Sequence, residues 1–176
     1  MIEEELEFAP ASSQPEPSAF AAPAAKPALG RQVFLVHGHD GGAREAVARF
    51  LERIDFEPII LHEQASQGRT VIEKIEAHAD VGFAVVLLTP DDVGRGILEA
   101  ADEPRARQNV LLELGYFLGR LGRQRVCALR RDEVAIPSDF AGIVWQAFDA
   151  GGGWKFALGK ELQAAGFDVD FNKVAS

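Results

Sequence analysis

Cysteine is nearly absent: Cys127 is the single one in 176 residues. An internal disulfide is excluded, and a reducing, cytoplasmic setting is expected. Within "RVCALRR" (125–131) the thiol reads as a small buried core residue. Long hydrophobic runs are missing too, since none approaches the ~20 residues of a membrane span. The first residues, "MIEEELEFAP", carry acids where a signal peptide carries bases, so no export or anchoring signal is expected. Bases are scarce: 18 Lys and Arg stand against 27 Asp and Glu, a net charge of −9. That balance argues against nucleic acid or an anionic membrane as partner. There is no HExxH and no CxxC. His37 and His39 therefore read as hydrogen-bonding residues, with no metal expected.

What is present fits one soluble domain, with 47% hydrophobic and 26% charged residues. Residues 1–30 include "APASSQPEPSAFAAPAAKPALG", rich in Pro, Ala and Ser, and read as a disordered linker or tail. The folded domain is expected over 31–172. Apolar runs at 32–38, 57–63, 81–92, 125–131 and 142–149 read as strands. Helical spacing marks 41–54, 71–80, 105–121 and 154–167, the last closed by Gly166. A polar loop is expected up to Glu103, with Pro104 in the first turn of the next helix. Strands alternating with helices predict a flavodoxin-like α/β sandwich of three layers around a five-stranded, mostly parallel sheet. Ligands in such folds bind outside the carboxyl ends of the strands.

That end gathers the candidate residues. "VHGHDGGAR" (36–44) is a strand, a glycine-rich turn and a helix start. Its amides and Arg44 could receive a phosphate. It matches neither a Walker motif nor GxGxxG, and a plain tight turn capped by Asp40 explains it equally well. His62 and Glu63 end a strand there, and Gln67, Gly68 and Arg69 lie in a loop that could cover a ligand. In the helix 105–121, Val110, Leu111, Leu114, Phe117, Leu118 and Leu121 share one face. Asn109, Glu113, Tyr116 and Arg120 run along its border, with Asn109 and Glu113 one turn apart. Spacing leaves two readings of Glu113: a solvated flank residue, or a working group in a nucleotide-sized crevice.

The blocks "VFLVHGHD", "PIILHEQ", "GRTVIEKIE", "VGFAVVLLTPDD", "RARQNVLLELGYFLGRLG" and "IPSDFAGI" resemble the bacterial TIR-like domain family. The resemblance covers about residues 31–170. It implies a TIR fold and an effector role in anti-phage signalling, with cleavage of the nicotinamide–ribose bond of NAD+. NAD+ is then the substrate, and no cofactor is implied. The block from Asn109 to Gly115 matches the family's catalytic block, which makes Glu113 the catalytic residue. A carboxylate beside the ribose would stabilise an oxocarbenium-like transition state. By position, Gly38, His39, Asp40, Arg44, Arg69 and Asn109 are the expected substrate-binding residues, with the diphosphate over the Gly38–Gly42 turn. The resemblance further implies a homo-oligomer on activation, through surfaces such as Leu112 and 91–104, and an upstream sensor protein or domain. Two other functions remain open at this point. One is a nucleoside deoxyribosyltransferase-like enzyme; the other is a non-catalytic nucleotide-binding or TIR–TIR interaction module.

Overall fold

The computed structural model describes residues 30–61, 71–78, 80–131, 134–136, 140 and 145–176. Five strands form one sheet: β1 (Gln32–Val36), β2 (Glu57–Ile60), β3 (Phe83–Leu88), β6 (Val126–Arg130) and β7 (Trp145–Ala147). Their order is β2-β1-β3-β6-β7, and every pairing is parallel. The expected flavodoxin-like architecture is present, with an entirely parallel main sheet. β3 is central and all six of its residues are buried, which is why "FAVVLL" is continuously apolar.

Side chains alternate between two core layers. Val33, Leu35, Val85 and Leu87 face helices α1 (Gly41–Arg53) and α4 (Gly153–Ala164). Phe34, Val36, Val86 and Leu88 face α2 (Val71–Ala77) and α3 (Gln108–Leu121). Phe34 meets Phe117 of α3 at 4.6 Å between ring centroids, and on the opposite face Phe50 meets Trp154 at 5.2 Å. α3 stops at Gly122, whose φ of 81° lies in the left-handed region and whose N–H donates to the Leu118 carbonyl. A short α5 (Phe171–Ala175), capped by Asp170, packs Val174 onto the first layer. Among the described residues no helix is long and apolar enough to cross a membrane.

One stretch differs from expectation. β3 ends at Leu88, and the expected polar loop is instead an antiparallel hairpin of β4 (Asp92–Gly94) and β5 (Glu103–Arg105). Pro104 sits in β5 opposite Val93, and α3 begins three residues after Arg105. A proline is tolerated in a short edge strand as readily as in a helix's first turn. Here the Pro104 carbonyl accepts from the Ala135 N–H at 2.8 Å, which fixes that segment as extended.

Candidate active site

The carboxyl ends of β1 and β3 open toward the start of α3. There Glu113, in the second turn of α3, is 8% exposed; Thr89 is the other buried polar residue among those described. Leu114 and Phe117 anchor the helix on the sheet, and Val110 and Glu113 follow on the same buried side. The border position left ambiguous by spacing is therefore an interior one. Glu113 lines a cleft of about 160 Å³ with Val110 and Asn109 of α3, His37 after β1, Leu61 after β2, Lys74 of α2 and Arg107. Burial pushes the Glu113 carboxyl up from 4.5 to about 7, with Arg107 pulling the other way. Near neutral pH both protonation states are thus populated.

His37 lines the same cleft. Its Nδ1 is 2.8 Å from the Gly38 carbonyl oxygen, which can only accept, so Nδ1 carries the proton in the neutral ring. Nε2 is then the acceptor nitrogen. Asn109 lines the same cleft from one turn before Glu113.

The glycine turn occupies a separate place. A Cβ at Gly38 would collide with the Asp91 carboxylate, so glycine is required for this close approach. Asp91 accepts from the His39 N–H at 3.1 Å and from the Thr89 hydroxyl at 2.7 Å. Asp40 caps α1 by accepting from the Ala43 N–H at 2.8 Å, and its other oxygen pairs with Arg131. The Arg131 guanidinium in turn lies 5.0 Å from the Phe148 ring centroid. His39 is exposed and Arg44 half-buried. Gly38, His39 and Asp40 thus form a pinned turn, Arg44 follows in the first turn of α1, and none of the four lines the Glu113 cleft. Arg69, with His62, Glu63, Gln67 and Gly68, lies outside the described residues. Tyr116 packs edge-on against Phe117 at 5.3 Å, and Arg120 is exposed.

His37, Lys74 and Arg107 were not recognised from sequence as companions of Glu113. For His37 the signal was its place at the end of the first strand, in the predicted ligand crevice. For Arg107 it was the two-residue offset from Asn109. Lys74 gave none, as a lysine in a short helix usually marks a solvated face.

On the other side of the first turn of α3 is a larger cavity of about 830 Å³. Asp92, Glu103, Arg105, Gln108 and Leu111 are among its walls. The hairpin beside it projects Ile97 and Leu98, each 97% exposed. Among the described residues no three His, Cys, Asp or Glu side chains group as a metal would require.

Residues 32–150 match the family described as CAP12/Pycsar effector protein, TIR domain. The chain is similar to the uncharacterised protein YuaY of Escherichia coli K12, 49% identical over 163 residues. That alignment takes in 92% of this chain and 52% of YuaY. Protein tirC of Dictyostelium discoideum is 37% identical over 128 residues, 65% of this chain and 62% of tirC. The Pycsar effector protein PaPycTIR of Pseudomonas aeruginosa is 43% identical over 75 residues, 41% of this chain and 24% of that protein. The chain thus spans from a quarter to somewhat over half the length of these relatives. By the match across the sheet and α3, it belongs to the CAP12/Pycsar effector TIR-domain family.

Proposed function

We propose that this domain cleaves the nicotinamide–ribose bond of NAD+, with Glu113 as the catalytic residue. The carrying observation is a carboxyl buried on α3, open to a cleft, with a proton affinity tuned by burial to about 7. Nicotinamide leaves with the bonding electron pair, and positive charge develops on the ribose. The Glu113 carboxylate, buried beside Val110 and Leu61, stabilises that charge more than it would in water. Water then bonds to the anomeric carbon and gives up a proton, which the carboxylate can take. The products are nicotinamide, ADP-ribose and one proton. Asn109 and His37, which line the same cleft, would hydrogen-bond the ribose. The cleft is smaller than the ~300–1,000 Å³ that encloses a drug-sized ligand, so it suits one end of the dinucleotide.

Membership of an effector family supports a role in bacterial anti-phage signalling, under an upstream sensor and in the cytoplasm. The adjacent, exposed Ile97 and Leu98 at the hairpin tip offer an apolar contact through which self-association could activate the domain. The same tip would also serve a purely adhesive module. The two functions separate by chromatography of NAD+ incubated with concentrated protein, with and without a crowding agent. Wild type is expected to release nicotinamide and Glu113→Gln none; equal release would remove Glu113 from catalysis.

A further inference from the structure

We propose that Lys74 and Arg107 form the diphosphate-binding subsite of this domain, at the mouth of the Glu113 cleft. The assignment rests on a dinucleotide entering that cleft. Three places near the carboxyl ends of the strands could receive a doubly charged phosphate pair, and their electrostatics differ. In the glycine turn, the His39 and Ala43 N–H groups already donate to the carboxylates of Asp91 and Asp40. Of the cations near that turn, Arg131 is paired with Asp40, and Arg44 stands half-buried in the first turn of α1. A phosphate placed there would meet two carboxylates. The larger cavity is lined by Asp91, Asp92 and Glu103, and its Arg105 lies 3.9 Å from Glu99 and 3.8 Å from Glu103. It too is acidic.

The Glu113 cleft is the exception in a chain of net charge −9. Among the described residues its wall carries two cations, Lys74 and Arg107, against one carboxyl that is partly protonated at neutral pH. The cations approach from separate elements, α2 and the turn before α3, and both are half-buried. A low-dielectric wall strengthens their attraction for an anion. Arg107 can grip phosphate oxygens with two parallel N–H groups, while Lys74 acts as a point charge. With the nicotinamide riboside end beside Glu113, the diphosphate is the next part of the substrate. It would leave the cleft between these two side chains.

The test measures binding and turnover separately. Calorimetry gives the affinity of ADP-ribose for wild type, Lys74→Gln, Arg107→Gln, Arg107→Lys and Arg44→Gln, with Arg49→Gln as a surface control. Folding of each is checked by its melting transition. Lys74→Gln and Arg107→Gln are expected to weaken ADP-ribose by about tenfold or more, and Arg107→Lys less. In parallel, at pH 9, well above the Glu113 midpoint of about 7, the two Gln variants should raise KM for NAD+ and affect cleavage of nicotinamide riboside, which has no phosphate, far less. Unaltered ADP-ribose binding in both Gln variants would overturn the proposal, as would weakening by Arg44→Gln in their place. Equal losses on both substrates would overturn it too, because the cations would then act only through the charge of Glu113. Failure of wild type to bind ADP-ribose has the same consequence. Binding that depends on Lys74 and Arg107, without nicotinamide release, would keep the subsite and refute hydrolysis.

Discussion

Replacing Glu113 by glutamine should make the protein more stable, and only above a definite pH. The carboxyl has an ordinary value of 4.5 and is raised to about 7 in the fold, because burial disfavours its charge. The folded state therefore holds a proton that the unfolded chain releases. Below about pH 4.5 both states are protonated and the group costs nothing. Between 4.5 and 7 the unfolded chain gains by ionising, and the penalty grows; above 7 it is constant. The difference corresponds to about 3 kcal/mol at full ionisation. Glutamine keeps the shape and removes the charge, although its amide still needs partners, so the net gain expected at pH 8 is about 1–3 kcal/mol. For a domain of this size that raises Tm by roughly 2–10 °C. The assay is calorimetric melting of both proteins from pH 4.5 to 8.5, with the gap opening as pH rises. A gap that is absent at pH 8, or equal at both ends, would refute the idea that buried charge dominates at this position.

The same protonation should govern turnover. On the proposed mechanism, in which the ionised carboxylate stabilises the transition state, kcat/KM for NAD+ should rise with pH through about 7. Removing the cation in Arg107→Gln should move that midpoint higher; a flat profile, or a downward move, would contradict it. Asp40→Ala should lose both the cap on the Ala43 N–H and the pair with Arg131. A loss of about 1–2 kcal/mol is expected in denaturant unfolding, and no loss would deny the turn its pinning role.

Much of the fold was legible because its signals are local and redundant. "FAVVLL", short and bounded by turn residues, reads as a strand covered on both faces, and the spacing of Val110, Leu114 and Phe117 reads as a helix with one buried face. The hairpin was not legible. Its strands are three residues long, carry no alternating apolar pattern, and hold a proline whose commonest signal is a helix start. At the site, the block from Asn109 to Gly115 pointed to Glu113 by resemblance, while periodicity alone put it on a border. Its burial depends on α2 and the end of β1, which no helical wheel contains. Lys74 and Arg107 stayed hidden for a related reason, as they are 33 residues apart in sequence and converge only through the fold. The glycine turn misled in the opposite sense. Its pattern suits an anion, but Asp91, delivered from the end of β3, already lies against it.

The central claim is that Glu113 is kept buried and ionisable for chemistry, at the expense of stability. Nicotinamide release and melting temperature, measured on the same samples of wild type and Glu113→Gln at pH 8, test it most directly. The account predicts a variant that melts higher and releases no nicotinamide beside a wild type that does. A variant that cleaves NAD+ at the wild-type rate would contradict it.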